Sequence, residues 1–315
     1  MNRAASMISQ VEQYLAFRRR LGFQLSSEGS QLLAFARFVD ASGHRGPITL
    51  DLALRWARSS ERAKPITWAH RLAVLRPFAR YRLQFDPATE VPPLHLLGPA
   101  HRRQVPHIYT AKEIASLLEA ANALSPKDGL RPVTYQTLFG LIAATGLRVS
   151  EARSLTRADV DLTGGVLTVR NSKFRKSRLV PLHATSVRVL QRYAEIRDRK
   201  APWAQTTAFF VSDRGKALDK RTVQYTFAKL RQQLGWRARG GHPAPRVHDL
   251  RHTFICQALL RGYRKRRALG HDLGALSTYV GHAKVTYTYW YVTGIPELMA
   301  LAARRFERFA HGDSQ

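Results

Sequence analysis

The stretch "RVHDLRHTF", Arg246 to Phe254, places His248, Arg251 and His252 at i, i+3 and i+4, so on a helix they share one face. An imidazole beside a guanidinium suits an anionic substrate, because the guanidinium offers paired donors to oxyanions and the imidazole exchanges a proton near neutral pH. A competing reading takes His248 and His252 as a metal pair, since histidines at i, i+4 share zinc in some helices. Here Asp249 follows the first histidine where such motifs carry glutamate, and no obvious third ligand follows. Two other stretches add reactive side chains. In "ATGLRVSEA", Arg148 comes just after a glycine break, with Glu151 three residues on as a salt-bridge partner. In "STYVGHAKVTYTYWYV", His282 is followed by Tyr287, Tyr289, Trp290 and Tyr291. Gly281 before His282 suggests a helix start, where backbone donors favour an anion. An aromatic cluster of this kind equally suits core packing, and a tyrosine hydroxyl near pKa 10 is a poor nucleophile unless neighbours help it.

Charge narrows the substrate class. Of 315 residues 51 are Lys or Arg against 22 Asp or Glu, a formal net charge of +29. Eleven of the basic residues are lysine, which leaves 40 arginines, the residue that pairs bidentately with phosphate. A nucleic-acid partner follows from that excess, with an anionic membrane surface as the lesser alternative. Cys256 is the sole cysteine, so no intrachain disulfide forms and a reducing, cytoplasmic setting is expected. No apolar run reaches the length of a membrane span.

These side chains need a scaffold, and the periodicity predicts a mostly α fold with one small antiparallel sheet. From Ile8 to Phe85 apolar residues recur at three- and four-residue spacing, as in "VEQYLAFRRRLGF" and "TWAHRLAVLRPFARYRLQ", which predicts a bundle of about four helices. Proline-rich "DPATEVPPLHLLGPAHRRQVPH" follows as a linker. The expected division is a helical DNA-binding domain over 1–90, a linker over 91–107 and a second domain over 108–315. That second domain opens with Thr110 and Glu113 at capping-box spacing. "VTYQTLFGLIAATGL" is apolar enough for a buried helix, "GGVLTVRNSKFRKSRLVPL" alternates like a hairpin with Lys173 and Lys176 in its loop, and helices resume from Thr185.

Arg148 in "TGLRVSE", the lysine turn in "SKFRKSRLVPL", "HDLRHTF", and "GH" followed nine residues later by tyrosine together resemble the tyrosine recombinase family of phage integrases and Xer-type enzymes. The resemblance spans the chain and implies a helical core-binding domain followed by a catalytic domain. The wording "STYVGH…TYWYV…PELM" resembles recombinases carried by transposable elements more than the housekeeping dimer-resolution enzymes. Carried over residue by residue, Arg148 resembles the first arginine and Glu151 the acid that steadies it. Lys173 resembles the hairpin lysine, with Lys176 as the alternative. His248 and Arg251 match the HxxR pair, His282 the position held by histidine or tryptophan, and Tyr291 the nucleophile. Tyr287 and Tyr289 do not fit that distance. The 31 residues from Arg251 to His282 exceed the usual gap, and "RKRRALGHDLGALS" reads as an insertion.

The family resemblance implies a site-specific recombinase that cleaves double-stranded DNA through a 3′-phosphotyrosine and rejoins it. It would integrate, excise, transpose or resolve a mobile element. Arg148 and Arg251 would hold the nonbridging oxygens, His248 would take the tyrosine proton, Lys173 would protonate the departing 5′ oxygen and His282 would bind the phosphate. The bond energy stays in the covalent link, so neither cofactor nor metal is expected. Partners would be further copies, a tetramer on paired sites, or a related recombinase, with the helix over 296–311 exchanged between protomers; no membrane is involved. Two alternatives share the residues: a type IB topoisomerase-like nicking enzyme and an inactive DNA-binding accessory protein.

Overall fold

The computed structural model describes residues 6–60, 62–100, 103–170, 177–264, 269–293 and, beyond these, 299, 300, 303, 304 and 307. The chain forms two compact units, Met1–Arg103 and Gln104–Gln315.

The first unit is built from α1 (Met7–Arg20), α2 (Ser26–Ala41), α3 (Leu50–Arg58) and α4 (Pro65–Leu83), the four helices that the periodicity predicts. Each starts on a recognisable signal or a tight turn. The Ser6 hydroxyl accepts from Ser9 N, Thr49 Oγ1 accepts from Leu52 N, and Pro65 stands in the first turn of α4, where its missing N–H costs nothing. The apolar stripes meet in a core around Val11, Leu32, Phe35, Leu52 and Phe78. Their polar faces carry the arginines outward, with Arg18, Arg19 and Arg20 closing α1 at its negative end.

In the second unit α5 (Ala111–Asn122) begins with the capping box expected of Thr110 and Glu113, both halves of which form. The buried helix α6 (Arg131–Thr145) packs against it and against α8 (Ala184–Lys200). Between them lie the short α7 (Val149–Arg153) and a three-stranded antiparallel sheet of β1 (Val160–Asp161), β2 (Val166–Val169) and β3 (Arg178–Pro181), in that order. The register pairs Val169 with Arg178 across the mouth of the β2–β3 hairpin. Then follow α9 (Lys220–Gln233), α10 (His248–Arg264), α11 (Leu269–Val280) and α12 (Thr286–Thr293). The region read as an insertion is thus largely helix α11, which contains His271. Leu138, Phe139, Ile142, Phe210 and Leu230 centre the main core. A separate cluster of Ile255, Cys256, Leu259, Leu273, Val280 and Tyr291 joins α10, α11 and α12.

Among the described residues no helix is long and apolar enough to cross a membrane. The hairpin loop with Lys173 and Lys176 and most of the 296–311 helix lie outside the described residues.

Gly146 is the hinge point between α6 and the chemistry. It ends α6 at φ 64°, in the left-handed region, and its N–H donates to Ile142 O. A Cβ here would stand 2.5 Å from Phe254 Cδ1 on α10. Gly146→Ala combines left-handed strain with overpacking, a loss of roughly 2–5 kcal/mol. We expect calorimetry to show the melting temperature of this unit falling by roughly 5–15 °C. An unchanged transition would mean that α6 ends in another way.

Candidate active site

The site begins where α6 stops. Two residues after Gly146, Arg148 is the N-cap of α7, and its backbone N–H donates to Glu151 Oε2 at 2.9 Å. Its guanidinium Nη1 donates to Oε1 of the same carboxylate at 2.6 Å. The acid that caps the helix therefore also clamps the arginine. From β3, Arg178 reaches the other side of Glu151, with Nη2 2.9 Å from Oε2 and Nη1 3.2 Å from Oε1.

Three successive carbonyls at the end of α11 complete the arrangement. Tyr279 O accepts from Arg178 Nε at 2.8 Å, Val280 O from Arg251 Nη2 at 2.6 Å, and Gly281 O from Arg148 Nη2 at 2.9 Å. Arg251 Nη1 also donates to Gly146 O at 2.6 Å. A helix C-terminus leaves its last carbonyls without intrahelical donors and carries the negative end of the helix dipole, so cations are favoured there. Gly281, expected to open a helix, instead closes α11: at φ 69° it cannot continue the helix, and α12 starts later, at Thr286. A Cβ on Gly281 would come within 2.7 Å of Arg178 Nη1, so this close approach needs glycine.

Electrostatics follow from one carboxylate among three guanidiniums, 3 − 1 = +2 in formal charge. Burial alone would raise the Glu151 pKa, but the Arg178 hydrogen bond, the Arg148 backbone N–H and both positive charges outweigh it and hold the acid at about 2. Arg251 is 2% exposed, and burial together with the Arg148 charge lowers its pKa, although a guanidinium stays protonated at neutral pH. A pair of surplus positive charges fixed in a half-buried setting is an anion site.

Two imidazoles of α10 lie near these arginines. His248 is the first residue of α10, and burial, then the Arg251 and Arg246 charges, push its pKa down to about 4. Its ring meets that of His252 edge-on at 4.8 Å. His252 Nδ1 lies 2.5 Å from the Tyr291 hydroxyl. Burial and neighbouring His248 lower the His252 pKa to about 2, so the imidazole is neutral. Among the described residues no group of three or more His, Cys, Asp or Glu side chains could hold a metal.

Helix α12 sorts the three tyrosines. Thr288 and Tyr291, three apart, face inward at 0% and 4% exposure, while Tyr287 and Tyr289 stay open at 39% and 50%. His282 Nδ1 meets Thr288 Oγ1 at 2.8 Å, and the His282 and Tyr291 rings lie nearly parallel, 8° apart with centroids at 6.3 Å. Five expected residues, Arg148, His248, Arg251, His282 and Tyr291, thus converge with Glu151. Lys173 and Lys176 lie outside the described residues; Arg178, which opens β3, is fixed on Glu151.

Residues 108–295 match the phage integrase family. The chain belongs to that family. It is a site-specific recombinase of the tyrosine class. It is 43% identical over 302 residues to a protein of Sinorhizobium fredii (strain NBRC 101917 / NGR234) named as an integrase/recombinase, y4rB, covering 95% of this chain and 96% of that one. It is 28% identical over 295 residues to tyrosine recombinase XerC of Pelobacter propionicus, covering 89% and 90%. The fold resembles the Tn1549 transposon integrase in complex with transposon right end DNA at TM-score 0.69 and 17% identity, over 97% of this chain and 100% of that one.

Two residues of this recombinase site escape a motif reading. Arg178 lies on the same strand face as fully buried Val180, while Leu179 between them is 65% exposed. An arginine at an inward strand position signals a buried carboxylate, and that signal was available from the alternation. His252 was visible on the face of His248, but its contact with Tyr291 crosses 39 residues of sequence.

Glu151 yields a test. Its folded pKa lies below the usual 4.5, so its stabilisation is complete above about pH 4.5 and fades as pH falls towards 2. The shift corresponds to about 3 kcal/mol at neutral pH. Urea unfolding of Glu151→Gln should show a deficit of that order at pH 7 that narrows at pH 3. A gap independent of pH would show that the carboxylate charge is not what matters.

Proposed function

We propose that Tyr291 attacks a DNA phosphodiester held by Arg148 and Arg251. The observation that carries this reading is the burial of Tyr291 alone among the three tyrosines of α12, with its hydroxyl on His252 and its ring against His282. A phosphate that brings its oxygens to the guanidiniums would meet the surplus charge left by Glu151. The Tyr291 oxygen bonds to phosphorus, the bond to the 5′ oxygen breaks, and Lys173 supplies that oxygen with a proton. The product is a 3′-phosphotyrosine and a free 5′ hydroxyl, and the reverse attack by another 5′ hydroxyl rejoins the strands. His248 receives the tyrosine proton, as the hydroxyl hydrogen turns from His252 towards it during attack. Its lowered pKa keeps it able to accept, and an anionic phosphate arriving beside it raises its basicity. His282 donates to the phosphate.

Double-stranded DNA is the partner that the net charge of +29 favours. Exchanging strands between two duplexes breaks four phosphodiesters, and each chain has one Tyr291, so the working form is a tetramer on paired sites. Transfer of a mobile element is the setting supported by the fold it shares with a transposon integrase. The reaction belongs in the cytoplasm, which the single buried Cys256 suits.

The experiment is covalent trapping on genomic fragments followed by sequencing of the captured DNA, which also reveals the site. Tyr291→Phe should abolish the covalent complex and leave DNA affinity nearly unchanged, while Tyr287→Phe and Tyr289→Phe keep most cleavage. Lys173→Ala should cleave slowly and be rescued by a bridging 5′ phosphorothiolate, whose leaving group needs no proton. Full trapping by Tyr291→Phe would move the nucleophile elsewhere and overturn the reading.

A further inference from the structure

The mechanism above gives work to His248 and leaves His252 without any. Yet His252, not His248, touches the reacting oxygen, with Nδ1 2.5 Å from the Tyr291 hydroxyl. We propose that His252 is a positioning residue for the nucleophile, its Nδ1 accepting the hydrogen bond of the Tyr291 hydroxyl and so holding that oxygen beside the arginine cluster. The inference rests on the reading of Tyr291 as the attacking group and adds what aims it.

The imidazole is suited to that work because its own place is fixed. It stands one residue from Arg251, whose side chain is tied to Gly146 O and Val280 O. The His248 ring packs edge-on against it at 4.8 Å, and Trp290 meets it at 6.5 Å in the same manner. The helix beneath is pinned as well: Tyr109 N donates to Thr253 Oγ1 at 2.8 Å, and Thr253 Oγ1 donates to Asp249 O at 2.9 Å. Helix α12, by contrast, has eight residues, too few to be stable by itself, so the aim of Tyr291 depends on tertiary contacts. A neutral ring is required for Nδ1 to accept, and burial together with His248 keeps His252 uncharged through the physiological range. Holding a reacting atom in place removes freedom that the transition state would otherwise have to lose, and a misplacement of 1 Å costs on the order of 100-fold in rate.

Asparagine places Oδ1 near the position of imidazole Nδ1, so His252→Asn keeps an acceptor while His252→Ala removes it. Two measurements on the full-length protein judge the proposal. The first needs no DNA: nitration by tetranitromethane, read by peptide mass spectrometry, with exposed Tyr287 and Tyr289 as internal references. Tyr291 should be protected in the wild type and in His252→Asn, and should react about tenfold faster in His252→Ala, the size commanded by one hydrogen bond. The second is single-turnover covalent attachment to a nicked duplex made from the captured fragment, at saturating DNA. His252→Ala should attach on the order of 100-fold more slowly with Kd within about twofold of the wild type, and His252→Asn should recover most of the rate. An unchanged or faster rate for His252→Ala, or an Asn variant as slow as Ala, overturns the proposal. A wild-type protein that forms no covalent link with DNA overturns the recombination chemistry proposed above instead, and the nitration pattern then still decides whether His252 holds Tyr291.

Discussion

One buried carboxylate shared by two arginines, with a third tied to the same helix end, is the constraint around which the catalytic unit is organised. Glu151 is 8% exposed and accepts from Arg148 and Arg178, while Arg251 completes the group through Gly146 O and Val280 O. Like charges this close repel, and the fold offsets that repulsion by bringing up the C-terminal end of α11, whose last carbonyls need donors anyway. Each partner resolves a deficit of the other. The cost of burying the cations is met with hydrogen bonds, and the helix end gains caps. What remains is a surplus of positive charge with fixed geometry, which is the property an incoming phosphate needs.

The same arrangement ties distant parts of the chain to one point. Arg148 follows the end of α6, Arg178 opens β3 and Arg251 comes from α10, yet all three end on Tyr279, Val280 and Gly281. The residue after that triplet is His282, which reaches Thr288 on α12, the helix of Tyr291. Displacing α11 would therefore move the three arginines, the start of β3 and Tyr291 together. Glycine at 146 and 281 is what lets the backbone turn this sharply while side chains from other elements approach it.

Much of the fold was legible in the chain because its signals are local. Helical periodicity predicts the four helices of the first unit, the Thr110–Glu113 capping box forms as its spacing predicts, and alternation locates the hairpin. Gly281 misled because a glycine beside a helical run marks a start or an end with equal ease, and the sign of φ decides between them. The stretch between Arg251 and His282 that reads as an insertion contains most of α11.

By itself the sequence determined which chemistry was on offer: charge for a polyanion, an arginine with its acid three residues on, a histidine–arginine face, and a tyrosine at a set distance from a histidine. Spacing along one helix or turn is enough for these, because such contacts are fixed by backbone geometry. Tertiary structure alone decided that Arg178 would share Glu151 across 27 residues and that His252 would hold Tyr291 across 39. Nothing local encodes such pairs. Arg178 faces inward because Val180 on the same strand face must be buried, and Tyr291 meets His252 because α12 buries Thr288 and Tyr291 against α10 and α11. Packing of apolar faces chose the partners, and the polar groups on those faces became the site.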